Sequence, residues 1–317
     1  MATEQDTLST RIIGDIDNLS AAIADGLEAD CVQLESAPFS AQLVIARLPD
    51  LVVQFIREDV ALARRIRVPD GTWLFLVPLE VSATVRWNAR HVATNELFVH
   101  APRSECYAFD PAGTSFALIT VSDRSVLGAL ARTALADSIG ECTLVTHSRN
   151  AERLQRRLDR VRVAASSTVN PAAIQTEVVD ALAACLRHAI RCHEDAYVST
   201  RRKRLVRRAE DFFRSHLGER VSAAQLSSAA RVSERNLRNA FYDVYATSPM
   251  RYLRLWQLHQ ARRALRSPRH PAASVTDIAI SHGFHELGRF ACEYKALFGE
   301  SPSQTLGYRR VGVAAAR

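Results

Sequence analysis

From Gln42 to Val121 apolar and polar positions alternate in short runs, the period of strands with one buried face. The runs are Gln42–Leu48, Leu51–Arg57, Ala61–Val68, Trp73–Leu79, Val81–Trp87, Glu96–Val99 and Ser115–Val121. Turn-forming residues separate them at Pro49-Asp50, Pro69-Asp70-Gly71, Pro78, Ala101-Pro102 and Asp110–Gly113. Closely spaced strands with such turns predict a β-sandwich or barrel over 42–121. Apolar spacing then lengthens to three and four. Helices are predicted over Arg124–Ala136, Ala151–Val163 and Pro171–Cys192, the last with apolar Ile174, Val178, Val179, Leu182, Cys185, Leu186 and Ile190 at helical spacing. A boundary is predicted near His193–Arg202. The basic run Arg201–Arg204 then opens a helix through Leu217, with Gly218 as its cap.

After residue 220 the pattern repeats. Leu226, Ala230 and Val232 return 52 residues later as Ile278, His282 and Phe284. Leu237, Phe241, Tyr245, Ser248-Pro249 and Leu253 return 53 residues later as Phe290, Tyr294, Phe298, Ser301-Pro302 and Leu306. A constant offset between matched apolar positions implies one supersecondary unit used twice. Each copy reads as helix, tight turn, helix, over about 222–242 and 274–295. Ser222 with Gln225, and Ser274 with Asp277, have the spacing of capped helix starts. Val232 and Phe284 plug the angle between the two helices of their copy, Ser233 caps the second helix of the first, and Gly283 permits a positive φ in the second turn. Pro249–Arg266 reads as a connecting helix with Leu255, Leu258, Ala261 and Leu265 on one face. A rod of that length, roughly 27 Å, is compatible with two reading helices about 34 Å apart, one turn of B-DNA.

Composition sharpens the division at 195–200. Residues 201–310 hold 21 Lys+Arg against 9 Asp+Glu, a net of +12; residues 1–200 hold 19 against 25, a net of −6; Arg317 completes the total of +7. A basic module attached to an acidic one is the electrostatic outline of a nucleic-acid binder. The expected domains are 1–195 and 196–310, with a disordered tail at 311–317. No run of about 18 apolar residues predicts a membrane span, and the polar, acidic start lacks the features of a signal peptide. A cytoplasmic, nucleoid-associated protein is therefore expected. The six cysteines show no disulfide framework. Cys185, His188, Cys192 and His193 fall on one helical face and raise a zinc reading. One straight helix is an unusual zinc site, so no metal, cofactor or catalytic residue is expected.

The chemistry lies in what the duplicated helices turn outward. Arg bridges guanine O6 and N7, and Asn pairs with adenine N6 and N7, which makes Arg238, Asn239 and Arg289 the candidate base readers. Arg235 and Tyr242 share the outward face of the first copy, and His285, Glu286, Gly288 and Lys295 that of the second. Arg251, Arg254, Lys295 and the 201–204 run suit phosphates.

Residues ~200–310 resemble the DNA-binding domain of the AraC/XylS family of bacterial transcription regulators. The resemblance rests on Asp277-Ile278-Ala279, His282-Gly283-Phe284, Gly288-Arg289-Phe290 and the run Tyr294–Pro302. The tail Gly283–Leu306 looks most like regulators of the ethanolamine-operon type. The resemblance implies a seven-helix domain on adjacent major-groove segments, an operator in double-stranded DNA, and promoter activation through RNA polymerase. It places the base-reading positions on Arg235, Arg238 and Asn239, and on Leu287, Gly288, Arg289 and Cys292. Two departures stand out. Ala246 occupies a position where the family has glycine, and Cys292 one where a family member can carry a DNA-contacting arginine.

The strands-then-helices order of 1–195 resembles the cupin-like effector and dimerisation domains of that family. The expected class is therefore α+β: a cupin-like β-rich domain with flanking helices, then an all-α domain with two helix-turn-helix units joined by a linker helix. Trp73, Phe75, Trp87 and Phe98 are candidates for a small-molecule effector pocket, with a hydrophobic core as the competing reading. A homodimer is expected, with helix 171–192 pairing with its twin or packing within the chain. A cupin-type metalloenzyme would need a His-x-His pair, and His91 and His100 stand alone. An alkyltransferase fused to a DNA-binding module would need an activated cysteine, and Cys31 has no such setting in sequence. A nucleoid-coating protein would not need two separately capped reading units.

Overall fold

Two antiparallel sheets form where the strands of the first two hundred residues bury one face after another. The computed structural model describes residues 8–23, 27–94, 96–134, 149–163, 171–187, 193–267 and 273–307. The tail 311–317 lies outside them, as do His188 and Cys192 of the zinc reading. Backbone contacts divide the chain into two units, Met1–Cys31 with Ser40–Thr200, and Val32–Phe39 with Arg201–Arg317.

In the first unit β1 (Leu8–Ile13), α1 (Ile16–Ile23) and β2 (Glu28–Gln33) precede the alternating stretch. There follow β3 (Ala41–Arg47), β4 (Leu51–Glu58), β5 (Leu62–Arg67), β6 (Thr72–Glu80), β7 (Arg86–Trp87), β8 (Arg90–His91), β9 (Phe98–His100), β10 (Glu105–Asp110) and β11 (Ser115–Ser122). One sheet runs β1-β3-β4-β11-β6-β9 and the other β2-β5-β10-β7-β8. The β-rich region thus starts before residue 42. The expected strand Val81–Trp87 contracts to Arg86-Trp87, because Asn88 and Ala89 adopt left-handed conformations and turn the chain into β8. The expectation also missed β10. Its partner strand β5 buries five of six residues, two of them arginines. Arg64 pairs with Glu58 and lies 3.5 Å from Asp110, all three fully buried. Burial pushes both carboxyls above their usual range, against the pull of Arg64. Arg65 donates to Glu105 at 2.7 Å. Internally paired charges break the alternation by which a strand is read.

Trp87 joins the sheets, its ring edge-on to Phe98 at 5.1 Å and Phe116 at 5.8 Å. On the opposite face of the six-stranded sheet, Phe55, Trp73, Phe75, Val99 and Ile119 form a core with three helices, α2 (Val126–Ala134), α3 (Arg149–Val163) and α4 (Pro171–Arg187). Trp73 and Phe75 therefore lie in the helix-covered core, and Trp87 and Phe98 between the sheets. The four aromatics do not share one site. Cys185 is also core.

The second unit contains α5 (His193–Ser215), α6 (Ala223–Ala230), α7 (Glu234–Tyr245), α8 (Pro249–Arg266), α9 (Val275–Ser281) and α10 (Leu287–Phe298). The first of these starts at His193, eight residues ahead of the basic run. Leu258, Ala261 and Leu265 of α8 pack with Ile278, Phe284, Phe290, Tyr294 and Leu306 in one core. Around α6 and α7, Tyr245 stacks on Tyr252 at 4.4 Å, and its hydroxyl donates to buried Glu210 at 2.9 Å. Among the described residues no helix is long and apolar enough to cross a membrane, and no group of three His, Cys, Asp or Glu residues is placed to hold a metal.

Candidate nucleic-acid interface

The two helix pairs of the second unit are built alike. Ser222 starts α6, where its hydroxyl accepts from Gln225 N (3.2 Å) and the Gln225 side chain accepts from Ser222 N (2.8 Å). Ser274 starts α9 with the same reciprocal bonds to Asp277 (3.1 and 2.9 Å). Each box satisfies backbone donors that a helix start leaves free. Leu237 and Phe241 of α7, and Phe290 and Tyr294 of α10, are buried. That burial fixes the rotation of both helices and decides which side chains face out.

On α7 the outward set is Arg235, Arg238 and Asn239, all exposed, and Tyr242, 46% exposed. In the second pair His285, Glu286, Gly288, Arg289, Cys292 and Lys295 are exposed, as is Leu287 at 39%. The predicted readers thus share an outward face within each pair. Arg289 is not loose. Its Nε donates to Glu293 Oε1 at 2.7 Å, and Arg254 Nε donates to Glu293 Oε2 at 2.7 Å. Arg254 also lies over the Phe284 ring, 4.2 Å from its centroid. Beside this bridge opens a cleft of about 340 Å³ with Arg220, Arg254, His285, Glu286 and Arg289 around Phe213 and Leu253.

The candidate phosphate contacts divide. Arg251 is exposed, but its Nη2 donates to the Leu34 carbonyl at 3.2 Å. That carbonyl belongs to the Val32–Phe39 segment, whose Gln33 N also donates to His259 Nε2 of α8 at 3.0 Å. Arg254 is half-buried in the bridge. In the 201–204 run, Lys203 is buried and Arg202 pairs with Asp243 of α7 at 2.9 Å, which leaves Arg201 and Arg204 outward. A helix turns successive residues to different sides, so four cations in a row cannot all face one partner.

Sequence reasoning missed Glu293 and the 32–39 segment. The i,i+4 spacing of Arg289 and Glu293 was a readable signal. The contact of residues 33 and 34 with α8 bridges more than 200 positions and leaves no local trace.

Residues 226–308 match the family model described as Helix-turn-helix domain. A XylDLEGF operon transcriptional activator of Pseudomonas putida is 38% identical over 99 residues, 31% of this chain and 31% of that protein. XylDLEGF operon transcriptional activator 2 of the same organism is 36% identical over 104 residues, 33% of this chain and 66% of that protein. The chain thus spans about a third of the length of the first relative. Among solved structures, the AraC-like transcriptional activator CuxR aligns with a TM-score of 0.44 at 14% identity, over 80% of this chain and 95% of that one. Residues 226–308 constitute a helix-turn-helix domain of the AraC/XylS type.

Proposed function

We propose that this chain is a sequence-specific transcriptional regulator that binds double-stranded DNA, with α6–α7 and α9–α10 acting as two helix-turn-helix units in adjacent major-groove segments. The observation that carries the reading is the burial pattern of α7 and α10. Each seals its apolar face into the core and leaves Arg238 and Asn239, or Arg289, exposed. These are the side chains whose forked donors match base edges. The relatives named as operon transcriptional activators support transcription activation as the output; RNA polymerase is the partner expected for that output.

The two-sheet unit fits a cupin-like effector and dimerisation domain, and the chain is read as a homodimer acting in the bacterial cytoplasm and nucleoid. No catalysis is assigned to it. An alkyltransferase reading gains nothing from Cys31, which is fully buried with its thiol pushed up by that burial. Selection of bound fragments from a random duplex pool with the full chain tests the reading. The expected result is a site with two recognition segments. Arg289→Ala should then cost ~1–3 kcal/mol at one base pair, whereas Lys295→Ala should lower affinity for every duplex and reduce the salt slope by roughly 0.9. No enrichment of any sequence would refute the proposal.

A further inference from the structure

The carboxylate of Glu293 stands between two arginines from different helices. Arg289 is one turn earlier on α10 and 66% exposed; Arg254 comes from α8 and is 31% exposed. Arg254 covers Phe284, whose ring lies 4.6 Å from that of Phe290. A continuous set of contacts therefore runs from the buried plug of the second pair, through Arg254 and Glu293, to the exposed candidate reader. Burial works against the Glu293 charge, but the bonds from Arg289 and Arg254 outweigh it and hold the carboxyl below its usual range. The same bond raises the Arg289 guanidinium above its own. Arg289 and Glu293 therefore stay charged at any pH at which the protein would bind DNA.

A free arginine carries about 2 kcal/mol of rotamer entropy, which a base contact must overcome. The bond to Glu293 removes part of that freedom beforehand. It is made through Nε, so the terminal pair Nη1 and Nη2 is left for the O6 and N7 atoms of a guanine. The carboxylate also opposes casual phosphate binding, since it places a negative charge beside the cation. Pre-orientation and repulsion of the wrong partner both favour specificity over raw affinity. The first pair has no such device: 53 residues earlier, Arg289 and Glu293 correspond to Asn236 and Ala240.

We propose that Glu293 is a positioning residue for base reading, which sets the specificity of the second helix pair by holding Arg289. The inference rests on the DNA-reading role proposed above for α10.

The test uses the full chain and the duplex recovered by selection from a random pool. Affinity is measured for that duplex, for duplexes substituted at each base pair in turn, and for a mixed-sequence duplex. Glu293→Ala should reduce discrimination at one base pair of the second segment about tenfold, within the span a single bidentate contact covers. Preferences in the first segment should persist, and affinity for the mixed-sequence duplex should rise. Glu293→Gln, which keeps an acceptor but no charge, should fall between the two. Those unchanged first-segment preferences also report that the variant is folded. Discrimination equal to wild type at every position would overturn the proposal. So would an equal loss across both segments, because Glu293 would then be only a structural brace. If the wild-type chain itself prefers no sequence, the underlying DNA-reading assignment fails rather than the clamp.

Discussion

The two helix pairs share a plan but store their strain and their order in different places. In the first, both connections use non-glycine residues in the left-handed region, Arg231 (φ 58°) after α6 and Ala246 (φ 52°) after α7. In the second, glycines take those places, Gly283 (φ 82°) and Gly299 (φ 74°). The entry to the outward helix reverses the balance. Ser233 caps α7 by accepting from Asn236 N at 3.3 Å, whereas Glu286 precedes α10 with no side-chain cap. The plugs differ as well: Val232 is half-buried and Phe284 is 1% exposed. The first pair thus combines a strained backbone with outward arginines that no acid among the described residues holds. The second combines relaxed turns, a deep plug and a tethered arginine. A duplicated unit keeps its cap and core positions, because those make the fold, while turn residues and outward groups are free to diverge.

The largest expected effect separates the plugs. Phe284→Ala should destabilise the second unit by about 3–5 kcal/mol, the cost of removing a buried ring. It should also loosen Arg254, which loses the ring beneath its guanidinium. Val232→Ala should cost only about 1 kcal/mol, since a half-buried valine has less apolar surface to lose. Urea unfolding of both variants checks the difference. Equal losses would break the claim that one pair leans on its plug and the other does not.

A smaller effect tests the turns. An alanine at φ 52° bears the steric cost of the left-handed region, about 1–2 kcal/mol, which glycine avoids. Ala246→Gly should therefore stabilise the protein by about 1 kcal/mol, and Gly299→Ala should destabilise it by a similar amount. Thermal unfolding of the two variants reads the sign directly. Like signs for the two exchanges would show that the first turn has relieved its strain by means other than backbone choice.

These contrasts also mark how much was legible in sequence. The Ser222–Gln225 and Ser274–Asp277 boxes, the inward stripes and the connector Pro249–Arg266 all follow from local spacing, where residue identity and backbone geometry are coupled, whereas the glycine departure at Ala246 comes only from the family resemblance. What escaped depends on contacts across the chain. β10 escaped although its partner β5 falls within the predicted run Ala61–Val68, because the buried Glu105 and Asp110 of β10 are offset by arginines of that neighbouring strand. Arg251 reads as a free phosphate contact until Leu34 is placed beside it. Glu293 went unnoticed because its second arginine, Arg254, comes from another helix.

The smallest effect uses protons to tell the pairs apart. Their capping boxes differ in one respect, Gln225 in the first and Asp277 in the second. The Ser274 hydroxyl, then the Ser274 backbone N–H, hold the Asp277 carboxyl below its usual range. A carboxyl lowered on folding adds stability above its unfolded pKa of roughly 3.9, and that stability is lost as pH falls through the lower folded value. Near pH 3 the start of α9 should therefore fray while the start of α6, whose amide does not titrate, stays closed. Asp277 is fully exposed, so the change is local and screened by salt. Amide hydrogen exchange compared at pH 5 and pH 3 would show faster opening at Asp277 and Ile278 with no matching change at Gln225 and Leu226. Asp277→Asn should abolish the pH dependence while leaving opening at pH 5 faster than in the wild type. Parallel opening at both helix starts would mean that acid weakens the unit as a whole, and that the second box draws nothing extra from its charge.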